Sequence, residues 1–138
     1  MAAIAPIAVN DGQATPVSHV YNPVQTGDAT YKRNGDTAVP VVGFESVIMT
    51  LKDANGSSEA VNRAKITLRI PVLETPAGGT GTGYVAPPRV AYFMQANIEF
   101  MLPNRSTAAQ RKDLRVLSAN LLANSQVIAL IEALERPY

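Results

Sequence analysis

Cysteine is absent from the 138 residues. That excludes disulfides, thiol nucleophiles and cysteine–zinc sites, and leaves the redox compartment open. Histidine occurs once, at His19. A lone imidazole without a positioned nucleophile or second base reads as structural rather than catalytic. With scattered carboxylates it makes no recognisable metal-ligand set. An excess of one charge is missing too. Twelve Lys and Arg against eleven Asp and Glu leave a net charge of +1, so there is no global pull on nucleic acid and any basic surface is local. No uninterrupted apolar run approaches the roughly 20 residues of a membrane span. The segment Met1-Ala2-Ala3-Ile4-Ala5-Pro6 has neither the basic start nor the apolar core of a signal peptide. These absences predict a protein of the cytoplasm with no cofactor, no metal, no membrane and no small-molecule substrate.

What is present is organised around Ser106 to Tyr138, which reads as two helices in tandem. Thr107 is a good N-cap, and Gln110 stands three residues on, as a capping box requires. Leu114, Leu117 and Leu121 then recur at helical spacing, with Arg111, Lys112, Asp113 and Arg115 on the other faces. Asn124-Ser125 interrupts, because both side chains compete with the helical backbone, and caps a second helix. That helix carries Val127, Ile128, Leu130, Ile131 and Leu134, a stripe so apolar that it needs a large flat apolar partner. Arg136-Pro137-Tyr138 ends the chain, since proline cannot continue a helix.

Upstream the pattern is of strands. Ile4–Val9 and Val17–Tyr21, around Asn10-Asp11-Gly12, predict a hairpin, whose Pro6 and Pro16 argue against a central place in a sheet. Asn22-Pro23 starts a loop. Ala29–Arg33 reads as a short strand ended by Asn34-Gly35, a pair that readily takes positive φ. Val39–Val42 reads as another, made irregular by Pro40. Three long strands follow: Phe44–Lys52, Val61–Leu73 and Arg89–Leu102. The first two are joined by a polar turn through Asn55-Gly56, the last two by a Gly/Thr/Pro-rich loop from Thr75 to Pro88. The glycines Gly78 to Gly83 lack the Gly-Lys-Ser/Thr of a phosphate loop and run into a strand, so the stretch reads as a flexible loop. Asn55-Gly56-Ser57 and Asn104-Arg105-Ser106 match the glycosylation pattern only as chance turns, given no secretion signal.

Alternation in the long strands is the most informative signal, because successive side chains point to opposite faces. Arg63, Lys65, Thr67 and Arg69 alternate with Ala64, Ile66, Leu68 and Ile70. Gln95, Asn97 and Glu99 alternate with Met94, Ala96, Ile98, Phe100 and Leu102. Thr50 and Lys52 share a side opposite Met49 and Leu51. Such a sheet has one greasy and one polar face, and strands first with helices last is an α+β arrangement in one domain spanning 1–138.

In this order and spacing the chain resembles the coat proteins of single-stranded RNA bacteriophages. Ser106-Thr107 followed by Gln110-Arg111-Lys112, the Leu-rich helix, Asn124-Ser125, the short apolar helix and the terminal Pro-Tyr carry the resemblance best. Asn62-Arg63 leading into Lys65-Ile66-Thr67-Leu68-Arg69-Ile70-Pro71 adds the penultimate strand. The resemblance implies an N-terminal hairpin (1–22), a five-stranded antiparallel sheet (28–102, with the 75–88 loop) and two C-terminal helices (106–138). It implies an intertwined homodimer with a continuous sheet, each chain's helices clasping the partner's sheet. It also implies assembly in the bacterial host cytoplasm into an icosahedral (T=3) virion shell whose inner, polar sheet face binds single-stranded genomic RNA. Well-studied members bind there a translational-operator hairpin as well.

By position the family's RNA-facing strands match Thr50, Lys52, Arg63, Lys65, Thr67, Arg69, Gln95 and Asn97. The cations suit phosphates, and the polar groups suit unpaired bases and sugars. Ile48 and Gln95 depart from the pattern: the family often has a small hydroxyl residue at the first and a stacking tyrosine at the second. Tyr92 lies off the polar register and reads as core or interface. Read without the resemblance, the same residues form a solvated sheet face with cross-strand ion pairs. The alternative function is a cellular α+β dimeric RNA-binding protein that builds no shell; an enzyme would need convergent titratable groups, which these strands do not offer.

Overall fold

The computed structural model describes residues 3–56, 60–74 and 87–136. The chain divides into a strand unit, Met1–Asp53 with Asn62–Met101, and a helix unit, Ala54–Val61 with Leu102–Tyr138.

The strands form one antiparallel sheet in sequence order: β1 (Ile7–Asn10), β2 (Ser18–Gln25), β3 (Ala29–Lys32), β4 (Ser46–Lys52), β5 (Val61–Leu73) and β6 (Val90–Pro103). The expected five-stranded sheet with a separate hairpin is therefore corrected to six continuous strands. The join lies in β2, which pairs with β1 through Ser18–Tyr21 and with β3 through Asn22, Pro23 and Gln25. Asn22-Pro23 is thus strand and not the start of a loop. The register shifts between Pro23 and Gln25, and such an irregularity accommodates a residue that has no N–H to donate. The β1–β2 turn is closed by Asp11, whose carboxylate accepts from the backbone N–H of Gln13 (3.2 Å) and Val17 (2.9 Å). The Val17 bond, more than any other influence, holds that carboxyl below its ordinary value.

Two further expectations change between β3 and β4. Val41–Gly43 is a single 3-10 turn rather than a strand. Pro40 fixes the entry at φ −66° and its carbonyl accepts from the Gly43 N–H at 2.8 Å. The turn passes close to the end of β5: a Cβ added at Gly43 would lie 2.9 Å from Leu73 Cδ1, a distance at which something must shift. Gly35 does not take positive φ; among the described residues only Gly56 (φ 31°) and Leu134 (φ 56°) do. Gly56 thus fits the turn expected at Asn55-Gly56. The loop expected over 75–88 falls largely outside the described residues.

The core of the strand unit is small. Tyr21, Tyr31 and Val47 are buried, packed by Ile7, Ala29, Met49, Ile66 and Leu68. At the end of this apolar face stands Glu45. Its carboxylate accepts from the Tyr21 hydroxyl (2.6 Å) and Arg33 (3.0 Å) and meets His19 Nδ1 at 2.9 Å. His19 Nε2 lies 3.4 Å from Asp11. Burial alone pushes the Glu45 carboxyl up, but the bonds from Tyr21, His19 and Arg33 outweigh it and bring it below its ordinary value. Burial, then the Glu45 contact, push the Tyr21 phenol well up. The single histidine therefore has a structural place, tying the hairpin to the β3–β4 end of the sheet.

In the helix unit, α1 (Ala108–Leu122) opens with the expected capping box. Thr107 Oγ1 accepts from the Gln110 N–H (3.2 Å) and Gln110 Oε1 from the Thr107 N–H (2.9 Å). Asn124 caps α2 (Ser125–Glu132), its Oδ1 accepting from the Gln126 N–H at 3.0 Å. The two helices meet at 61°. α2 ends earlier than expected: Leu134 is outside it, in the left-handed region that halts the helix before the proline is reached. Neither helix buries a residue in this chain. No single helix among the described residues is long and apolar enough to cross a membrane.

Candidate nucleic-acid interface

Register decides which side chains share a face. In β4 and β5, Thr50 opposes Lys65, Lys52 opposes Arg63, Ile48 opposes Thr67 and Ser46 opposes Arg69. These residues alternate with Val47, Met49, Ile66 and Leu68, which make the core side. Strand β6 joins the same polar face. Thr67 Oγ1 donates to Asn97 Oδ1 at 2.8 Å, and Gln95 Nε2 donates to the same oxygen at 3.2 Å. All eight residues expected from the sequence, Thr50, Lys52, Arg63, Lys65, Thr67, Arg69, Gln95 and Asn97, therefore stand on one side of three adjacent strands.

Sequence reasoning missed three contributors to that side. Thr30 pairs with Ile48 and Lys32 with Ser46, so β3 extends the face by a fourth strand. The alternation of Thr30 and Lys32 with Ala29 and Tyr31 was the available signal, but four residues are too few to stand out. The third is Phe93, in the same alternate series as Gln95, Asn97 and Glu99. The Arg69 guanidinium carbon lies 3.9 Å from its ring centroid.

The electrostatics of this face differ sharply from those of the whole chain. Across β3 to β6 it carries Lys32, Lys52, Arg63, Lys65 and Arg69 against one carboxylate, Glu99. The cross-strand ion pairs of a merely solvated face are few here: Arg63 reaches Glu99 at 3.5 Å with both side chains well exposed, a geometry worth little in water. The other salt bridges among the described residues use neither Lys52 nor Lys65. The positive charge remains uncompensated and arrayed along strands whose residues rise about 3.3 Å each.

The opposite face is an open apolar trough of about 420 Å³ lined by Ile7, Val47, Met49, Ile66, Leu68 and Ile98 among others. Tyr92, expected as core or interface, is not core in this chain; it is exposed. Among the described residues no group of three or more His, Asp and Glu side chains is placed to hold a metal ion.

The strand unit is thus a sequential antiparallel sheet with one apolar and one cationic face, followed in the chain by two helices. The chain belongs to the Levivirus coat protein family, whose model matches residues 2–138. It is a structural protein of a bacteriophage capsid, and not an enzyme. Among solved structures it is similar to the virus-like particle of bacteriophage ESE058, at 30% identity over 99% of this chain and 100% of that one, with a TM-score of 0.89. It is similar also to the virus-like particle of bacteriophage NT-214, at 26% identity over 99% and 100%, TM-score 0.81. The bacteriophage GA protein capsid, at 16% identity over 96% and 95% with a TM-score of 0.69, shares the fold. No protein with curated function matches the chain.

Proposed function

We propose that the whole chain acts as one coat-protein domain. It pairs into an intertwined homodimer, assembles into an icosahedral virion shell in the bacterial cytoplasm, and holds single-stranded genomic RNA on the cationic sheet face. An operator hairpin, where one is bound, docks on the same face. Family membership replaces the alternative of a cellular RNA-binding dimer.

The thin core supports the dimer. Among the described residues three side chains are buried, whereas a chain of this length ordinarily buries roughly two-thirds of its surface. The apolar trough and the exposed stripe of Leu114, Leu117, Leu121, Leu130 and Ile131 are complementary needs, which a second copy meets by laying its helices on the first copy's sheet. Strand β6, exposed nearly along its length, is the edge at which two sheets join. Electron microscopy and light scattering of the expressed protein should show shells; discrete dimers at neutral pH and moderate salt would overturn the shell.

The observation that carries the RNA reading is five cations against one carboxylate on the face away from the core, in a chain whose net charge is only +1. Replacing Arg63 and Lys65 together by alanine should lower the RNA content of particles. It should also flatten the salt dependence of RNA binding, by roughly 0.7 in log K against log salt for each phosphate contact removed. Unchanged RNA content and slope would refute the face.

A further inference from the structure

Asparagine followed by glycine is a chemically fragile pair, and it occurs twice, at Asn34-Gly35 and Asn55-Gly56. The asparagine amide is thermolabile, because the backbone nitrogen of the next residue can attack its side-chain carbonyl carbon. Glycine presents that nitrogen with no side chain beside it and lets the backbone turn to bring the two atoms together. The two sites differ in what holds the amide. Asn34 Oδ1 accepts from Asn22 Nδ2 at 2.7 Å. That side chain is pinned to β2 and must break the bond before its carbonyl carbon can reach Gly35. Asn55 stands exposed in the β4–β5 turn. Among the described residues neither its side chain nor the Gly56 N–H makes a hydrogen bond. Gly56, at φ 31°, is already in a conformation that other residues rarely adopt. The related pair Asp11-Gly12 is restrained as well: the Asp11 carboxylate accepts from the N–H groups of Gln13 and Val17, and an ionised carboxylate is a poor electrophile.

We propose that Asn55 is a site of spontaneous deamidation, and that the bond from Asn22 spares Asn34. The Gly56 nitrogen forms a bond to Asn55 Cγ and gives up its proton to water. The Cγ–Nδ2 bond breaks, and that nitrogen takes a proton from water and leaves as ammonia. Water then opens the resulting succinimide ring at either carbonyl. One opening yields aspartate; the other yields isoaspartate, with the main chain rerouted through the side-chain methylene. The net change is one water gained and one ammonia lost, with no oxidant, reductant or enzyme required. Each conversion cancels the chain's single net positive charge. The new carboxylate comes shortly after the rung formed by Lys52 and Arg63, the last of the β4–β5 ladder. Isoaspartate also lengthens the backbone of a connection whose Ala60 carbonyl accepts from the Asn104 N–H at 3.0 Å, on the way to α1. One slow reaction thus alters both the charge and the main-chain geometry of this turn.

The test incubates the native full-length protein at mildly alkaline pH, where the attacking nitrogen loses its proton more readily, beside the same chain unfolded in urea. Trypsin cuts after Arg33, Lys52 and Arg63 and so puts the two asparagines in separate peptides. Mass spectrometry with fragmentation locates each conversion, and labelling by an isoaspartyl methyltransferase measures the isoaspartate; protein digested before incubation sets the zero. In the unfolded chain the two sites should convert at similar rates. In the native protein Asn34 should fall behind Asn55 by about fivefold, the worth of one hydrogen bond. Asn55→Gln, whose longer side chain closes the ring far less readily, should abolish the acidic shift seen on isoelectric focusing. An Asn55 that stays intact in native protein while the unfolded chain converts, or an Asn34 that keeps pace with Asn55, overturns the proposal. Asn22→Ala, which removes the donor, should bring Asn34 up toward Asn55; an Asn34 still slow in that folded variant would strike out the protecting bond. The native and unfolded rates come from unsubstituted protein, so they decide even if a variant fails to fold.

Discussion

Replacing Leu130 by aspartate is expected to leave the chain without soluble dimers or particles. Leu130 is 43% exposed in the single chain and belongs to the stripe that includes Ile128 and Ile131. In the proposed dimer that stripe lies on a partner's apolar trough. Losing the leucine forfeits about 2 kcal/mol of burial, and an unpaired carboxylate held against hydrocarbon costs several kcal/mol more. Even about 4 kcal/mol per subunit is incurred twice in a two-fold dimer, which is roughly a million-fold in dimer Kd. Leu130→Ala, which removes only the burial, should weaken assembly without abolishing it. Size-exclusion chromatography with light scattering reads both; particles of normal yield from Leu130→Asp would mean that α2 is not in the interface.

The second large effect is at Glu45. Removing this carboxylate by Glu45→Ala deprives Tyr21, Arg33 and His19 of one shared acceptor and leaves Arg33 poorly compensated in a half-buried place. The expected loss is about 3 kcal/mol, or on the order of 10 °C in Tm at fixed protein concentration. Acid should act through the same residue. The groups facing Glu45 are Tyr21, Arg33 and His19, with Asp11 beyond the imidazole. Its folded carboxyl lies below the ordinary value. The stability it contributes is therefore complete above the unfolded value of about 4.3 and disappears as the pH falls through the depressed folded one. Thermal melts between pH 6 and pH 3 should show a steeper decline for the unmodified protein than for Glu45→Gln. Parallel curves would remove Glu45 from the acid limb.

Both effects bear on what could be read from residues alone. The capping box at Thr107 and Gln110, the Asn124 cap and the two-faced strands were legible because each depends on neighbours within a few positions. So was the polar face, since period-two alternation needs no knowledge of the partner strand. The Glu45 cluster was not: it gathers residues 11, 19, 21, 33 and 45 through the registers of three strand pairs, and no local pattern announces those registers. The continuity of hairpin and sheet escaped for a similar reason, because Pro23 reads locally as a breaker while the structure absorbs it in a register shift. Leu134 fitted the apolar spacing of α2 yet ended outside it, since a backbone at φ 56° leaves no mark on hydropathy. Phe93 was overlooked beside Tyr92, although its place two residues before Gln95 assigns it to the cationic side.

The order of the strands has a consequence for biosynthesis. Each strand pairs with the one made just before it, so the sheet can zip from its first hairpin as the chain leaves the ribosome, no pairing waiting for a strand made much later. The entropy of closing a connection grows only slowly with its length, and topologies with near neighbours in contact are quicker to form than those with distant ones. The helices are made after the sheet, which in the proposed dimer is the surface on which another copy's helices lie.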